Sequence, residues 1–108
     1  MRWGVIDDSE FKWKVTICSE IPVEVDGGGE ACGACSPPKG NKPGNIYVRG
    51  DLSHYRTKHT LLHEILHAAE YAEDISIKDS EVDSLARYLV RVFTLNPKVA
   101  KFLSKKAR

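Results

Sequence analysis

Apolar and polar residues alternate along the first half of the chain, a pattern typical of β-strands. From Phe11 to Cys18 the apolar Phe11, Trp13, Val15 and Ile17 alternate with lysine and threonine, which predicts a strand. Residues 20–25 continue the extended pattern, residues 26–29 predict a turn, and residues 30–36 predict a short returning strand. After a loop rich in proline and glycine, residues 45–49 predict another strand.

The second half of the chain predicts helices. The first begins with Ser53 or Thr57 as its cap and runs to about Glu73. A second helix begins at Asp79 or Ser80, with an apolar stripe formed by Val82, Leu85, Ala86, Leu89, Val92 and Phe93. Asn96 and Pro97 then begin a short third helix. We expect one α+β domain over residues 1–108, with a small antiparallel sheet followed by helices.

Composition argues against a dedicated nucleic-acid-binding role. The 108 residues suit a single domain, and 42% of them are apolar, with a net charge of only +1. Basic residues cluster between Pro97 and Arg108, where five lysines and arginines occur without an acid. Such a cluster is typical of a solvated helix end, where the helix dipole favours positive charge. A contact with nucleic acid or with an acidic partner is the alternative.

The sequence also predicts a cytoplasmic location. The N-terminal residues lack the long apolar segment of a signal peptide, and no apolar run approaches the roughly 20 residues that cross a bilayer. In a reducing compartment, Cys18, Cys32 and Cys35 are expected to be reduced thiols. The alternative is a structural Cys₃His metal site completed by His54.

A five-residue motif in the first predicted helix, His63-Glu64-Ile65-Leu66-His67, carries the clearest chemical signal. Residues four apart lie on one helix face, so His63 and His67 can direct two imidazole nitrogens at one metal ion. Glu64 lies about 100° around the helix, where a carboxylate can act on a metal-bound water without ligating the metal. His-Glu-x-x-His is the zinc-binding signature of zincin metallopeptidases. The alternative interpretation is an ordinary core helix, but it does not explain why two histidines and a glutamate, whose burial without partners costs free energy, lie in such an apolar segment.

A catalytic zinc ion needs a third protein ligand and one open position. The places where a metzincin carries glycine and histidine after the motif hold Glu70 and Glu73, which excludes that class. A gluzincin takes a glutamate from the following helix, and Glu81 in the first turn of the second helix fits best. Asp83 is the competitor, although a regular helix turns it about 160° away from Glu81.

Residues 45–95 resemble the small zincin-type peptidases often encoded by phages, related to the ImmA/IrrE-type metallopeptidases. The resemblance rests on the His-Glu-x-x-His helix, the preceding Ile46-Tyr47-Val48, and the later segment Glu81-Val82-Asp83-Ser84-Leu85-Ala86. It implies His63, His67 and Glu81 as zinc ligands, Glu64 as catalytic base, and a protein or peptide substrate. For a phage-encoded chain, the location would be the host cytoplasm. The segment Cys32-Gly33-Ala34-Cys35 departs from the family pattern.

Several roles stay open from the sequence alone. Tyr71 or Tyr88 could donate a hydrogen bond to an oxyanion, while His59 is expected to be exposed rather than a ligand. The predicted function is a zinc-dependent peptidase with Glu64 as general base. The alternatives are a zinc-binding regulatory module without peptidase activity and a small fold that is only stabilised by its metal.

Overall fold

The computed structural model describes residues 2–19, 21 and 32–105, which contain four strands and three helices. The strands are β1 (Arg2–Asp7), β2 (Lys12–Cys18), β3 (Gly33–Ser36) and β4 (Gly44–Arg49). The helices are α1 (His54–Glu73), α2 (Asp79–Leu95) and α3 (Pro97–Leu103). The α+β class is confirmed, and β1 is a strand that the sequence pattern did not predict. Apart from Ile21, the predicted extended segment 20–25 and the turn 26–29 lie outside the described residues.

The four strands form one mixed sheet in the order β1-β2-β4-β3. β1 pairs with β2 and β3 pairs with β4 in antiparallel fashion, whereas β2 and β4 are parallel. The expectation of a purely antiparallel sheet is therefore wrong. β4 lies between β2 and β3 in the sheet. The parallel pairing of β2 with β4 is possible because a long connection separates these two strands in the chain.

The core lies between the sheet and α1. Trp13 and Val15 of β2 are buried with Ile46 and Val48 of β4, and Ala68 of α1 packs against them. The period-two pattern of the strands thus places one face of the sheet under the helix. Burial at every fourth residue of α1, at Thr60, Glu64 and Ala68, turns the motif glutamate towards the sheet.

The helices pack in sequence, α1 on the sheet, α2 on α1 and α3 on α2. Ser53 caps α1, since its Oγ accepts a hydrogen bond from the Arg56 N–H. α2 buries Val82, Ala86 and Val90 against α1, whereas Leu85, predicted for the buried stripe, is 43% exposed. None of the helices in the described ranges is long and apolar enough to cross a bilayer.

Gly33 lets β3 approach α1 at the motif. A Cβ built on Gly33 would lie 2.6 Å from Thr60 Cγ2, 2.9 Å from the Tyr47 carbonyl oxygen and 3.1 Å from Glu64 Oε2. Because the Tyr47 atom is backbone in the neighbouring strand, it cannot move away independently. The small residue is therefore required here by close packing.

We predict that Gly33→Ala lowers the free energy of unfolding by about 1–3 kcal/mol, the usual cost of forcing extra atoms into a packed site. Urea denaturation of metal-free protein measures this cost. Gly4→Ala in β1 is the matched control, because a Cβ there meets nothing within 4 Å. Equal stability of the two variants would contradict the close packing of β3 on α1.

Candidate metal centre

The two motif histidines direct their Nε2 atoms at a common point. The Nε2 atoms of His63 and His67 lie 3.1 Å apart. Two nitrogens that share a tetrahedral zinc ion at about 2.0–2.1 Å are separated by about 3.3 Å, from the bond length and the tetrahedral angle. The spacing of four residues on α1 thus produces the separation that a shared ion requires.

Asp79, the first residue of α2, lies beside this pair. Its Oδ1 is 3.4 Å from His67 Nε2, and a ligand atom from each of His63, His67 and Asp79 lies within 4.8 Å of the other two. The side chain of Asp79 is 86% exposed. Two imidazole nitrogens and one carboxylate oxygen form a donor set suited to zinc. Elsewhere in the described ranges, no other group of histidine, cysteine, aspartate or glutamate has this geometry.

Both histidines have a carboxylate near the nitrogen that faces away from the pair. His67 Nδ1 is 2.6 Å from Glu70 Oε1, and His63 Nδ1 is 3.6 Å from Asp83 Oδ1. When Nδ1–H of His67 donates to Glu70, the lone pair of Nε2 is left free for a metal ion. Glu70 thereby fixes both the tautomer and the ring orientation of His67.

The protonation states suit metal binding. Burial lowers the pKa of His63, and the neighbouring His67 lowers it further. A neutral imidazole is the form that binds a metal ion. The N–H of Ile77, followed by the bond to His67, lowers the pKa of Glu70. Glu70 therefore stays ionised and can accept a hydrogen bond from the Nδ1–H group of His67.

Glu64 is buried at the floor of a cleft. Its residue surface is 6% exposed, and burial raises its pKa from 4.5 to about 7, with His67 opposing the shift. A general base works best when its pKa lies near the working pH. Glu64 therefore combines the position and the proton affinity that acid–base chemistry needs.

Two neighbouring cavities meet at the motif. The larger, of about 630 Å³, is lined by Trp13, Cys35, Tyr71 and the three candidate metal-binding side chains, among others. The smaller, of about 250 Å³, is lined by Cys32, Arg56 and His59, among others. Both have Gly33, His63 and Glu64 in their walls. The two cavities thus lie on either side of a shared wall formed by these three residues.

Glu81 does not join the histidine pair in this structure. Its Oε1 accepts a hydrogen bond from the Lys78 N–H, and its side chain lines a separate cavity with Ser84 and Leu85. Asp79 and Glu81 are two residues apart on a helix and therefore point about 160° apart. Because Val82 and Ala86 are buried against α1, Asp79 shares their inward face and Glu81 faces outward.

The buried pattern of α2 contains the signal that would have found Asp79. Asp79, Val82, Asp83, Ala86 and Val90 follow the spacing i, i+3, i+4, i+7 and i+11 of one helix face. The stripe predicted from the sequence contains Leu85 as well as Val82 and Ala86, and Leu85 lies on the side of the helix that carries Glu81. Asp83, the predicted competitor, lies on the correct face but contacts the outer side of His63.

Other predicted residues occupy different surroundings. Tyr71 lines the larger cavity and meets Trp13 edge-on, with ring centroids 6.0 Å apart. Tyr88 is 55% exposed and lies under the Arg91 guanidinium instead. His59, expected to be exposed, is partly buried, with Nε2 3.2 Å from Asp83 Oδ1. Of the two tyrosines named as candidate donors, Tyr71 is the one that lines the larger cavity.

The three cysteines are free thiols with separate environments. Cys18 Sγ lies 3.9 Å from the Val48 carbonyl oxygen, and Cys32 Sγ lies 3.2 Å from an Arg56 nitrogen. Burial, with smaller contributions from Glu64 and Glu70, raises the pKa of Cys35 to about 12. Its sulfur is therefore a protonated, poorly nucleophilic part of the cleft wall at neutral pH.

Comparison with protein-family models, with curated proteins and with solved structures gives no match to this chain.

We predict that zinc affinity depends on Asp79 more than on Glu81. Asp79→Asn should raise the zinc dissociation constant at least about tenfold, since even a carboxylate outside the ligand shell has an effect of this size. Glu81→Gln should leave it unchanged, because Glu81 faces away from the pair. Competition with a chromogenic chelator measures both values. The opposite ranking would restore Glu81 as the third ligand.

We also predict that Glu64 makes the stability of the metal-free protein depend on pH. Because its pKa rises from 4.5 to about 7 on folding, the folded state binds the proton more tightly. Its contribution to stability is fully present below pH 4.5 and is lost as the pH rises through 7. The loss is about 3 kcal/mol at most. Glu64→Gln has no such proton to lose.

Urea denaturation of the wild type and of Glu64→Gln, both treated with chelator, tests this dependence. The stability advantage of the variant should grow between pH 4.5 and 7 and then level off. If the difference in free energy of unfolding between the two proteins stayed constant over this range, burial would not raise the pKa of Glu64.

Proposed function

We propose that this protein is a zinc-dependent metallopeptidase of the zincin type. The observation that carries the proposal is the pair of imidazole nitrogens 3.1 Å apart, joined by Asp79 and adjoining a buried Glu64 in one cleft. A structural zinc site does not require such a glutamate, whereas peptide hydrolysis requires a base in this position. The sequence resemblance to ImmA/IrrE-type and phage peptidases agrees with this assignment.

His63, His67 and Asp79 would hold the zinc ion. Three protein ligands leave a fourth position open, as in catalytic zinc sites. When bound, zinc supplies Lewis acidity towards a carbonyl oxygen and lowers the pKa of water at the open position. Glu70 orients the His67 imidazole through the contact at Nδ1, and Asp83 lies 3.6 Å from His63 Nδ1.

Glu64 moves the proton in this scheme. Its carboxylate accepts a proton from the attacking water and returns it to the nitrogen of the leaving amine. The bond that forms joins the water oxygen to the peptide carbonyl carbon, and the bond that breaks is C–N. Tyr71, which lines the same cavity, is the proposed hydrogen-bond donor to the oxyanion.

A zinc-binding module without peptidase activity is the second candidate. The observation that favours it is an exposed apolar surface on α3, where Phe102 is 71% and Leu103 64% exposed. Lys98, Lys101 and Lys105 are also exposed on this short helix and its end. Exposed apolar residues beside positive charge are typical of contact surfaces for acidic partners.

We predict that Glu64→Gln abolishes peptide hydrolysis but retains zinc. The amide keeps the size of the side chain and removes the base, so a rate loss of at least about 100-fold is expected. Zinc content and cleavage of a randomised peptide mixture, followed by mass spectrometry, are measured on the same preparations. Glu81→Gln is the matched control, because its carboxylate lies outside the cleft.

The peptidase proposal would be abandoned if zinc-loaded wild type cleaved no peptide in this mixture. It would also fail if Glu64→Gln cleaved at the wild-type rate. In the first case the binding-module function would gain support.

A further inference from the structure

Arg56 lines the smaller cavity. One of its terminal nitrogens is 3.2 Å from Cys32 Sγ. Among the residues that the structure describes, no carboxylate lies within 4.0 Å of it, in contrast to Arg87, which pairs with Asp83 at 2.8 Å. A thiol is a weak hydrogen-bond acceptor compared with a carboxylate. Arg56 therefore keeps most of its capacity to bind an anion.

Arg56 faces the same side of α1 as the motif histidines. It precedes His63 by seven residues, which places it about 10 Å along the helix axis and about 20° around it. An extended peptide advances about 3.3 Å per residue, so this distance corresponds to about three residues of substrate. The cavity that contains Arg56 shares a wall of Gly33, His63 and Glu64 with the main cleft.

The two cavities differ in available charge. Glu70 and Asp79 line the larger one. In the smaller one, the Asp83 carboxylate already contacts Arg87 and His59, and Glu64 is only 6% exposed. Arg56 is thus the permanently charged group with unused donors in that cavity.

We propose that Arg56 is a substrate-binding residue that selects peptides with a carboxylate about three residues from the cleaved bond. This inference rests on the peptidase function proposed above. The planar guanidinium fork binds a carboxylate through two parallel N–H···O bonds. The carboxylate has two possible sources, the α-carboxylate of a peptide C-terminus and the side chain of aspartate or glutamate.

Binding to the inactive Glu64→Gln protein tests the proposal without catalysis. The probes are acetylated tetra-alanine as the free acid and as the amide, and two amidated peptides in which the last alanine is replaced by aspartate or by asparagine. Isothermal titration calorimetry is performed with zinc and again after chelation, because the Arg56 contact does not itself need the metal.

We expect at least one carboxylate peptide to bind about tenfold more tightly than its uncharged partner, the size of one charge-assisted contact. Preference for the free acid would identify a C-terminal carboxylate, and preference for aspartate over asparagine a side chain. Arg56→Gln should remove the preference, and Arg56→Lys should retain only part of it. Lys58→Gln is the control, since Lys58 lines a different groove between α1 and α2.

Equal affinities within both peptide pairs, or no measurable binding of any of the four peptides, would overturn the inference. So would a preference that survives Arg56→Gln. Peptide hydrolysis by the wild type is measured separately. A carboxylate preference without hydrolysis would remove the peptidase function and keep the Arg56 site, whereas hydrolysis without the preference would do the reverse.

Discussion

Glu70 connects the two halves of the candidate centre. Its Oε1 lies 2.6 Å from His67 Nδ1, and its Oε2 accepts a hydrogen bond of 3.0 Å from the Ile77 N–H. The first contact orients the His67 imidazole on α1. The second fixes the position of Ile77, which lies in the segment between α1 and α2. Since Asp79 follows Ile77 by two residues, the same carboxylate determines both the direction of His67 and the place where Asp79 arrives. The third donor of the centre therefore depends on one side chain that does not itself bind the metal.

Burial of Glu64 depends on a different constraint, the close contact between β3 and α1. Only glycine at position 33 allows the strand to lie against Thr60 and the glutamate carboxylate without a steric clash. The contact excludes water from Glu64 and raises its pKa. The close packing of β3 and the high proton affinity of Glu64 are therefore both consequences of glycine at position 33.

Local patterns predicted the individual elements well and their pairing less well. The N-terminal cap of α1, the strand alternation around Trp13 and the His63/His67 spacing all depend on neighbours within a few residues, which the sequence displays directly. The parallel pairing of β2 with β4 and the position of Asp79 depend on how distant segments pack. Asp79 and Glu81 point about 160° apart on α2, so the rotation of this helix decides which of them faces α1, and single-sequence periodicity did not resolve it.

The serial packing of the helices has a consequence for the local dynamics of the centre. α2 contacts α1 but none of the strands in the described part of the chain, so α2 and α3 can detach together while the sheet and α1 stay folded. Such partial opening costs less free energy than global unfolding. It carries Asp79 away and leaves His63, Glu64 and His67 in place. A cation shared between the helices would oppose this opening by RT ln(1 + [M]/Kd), so that metal concentration would regulate hydrogen exchange in α2 while the amides of β2 and β4 stay insensitive to it.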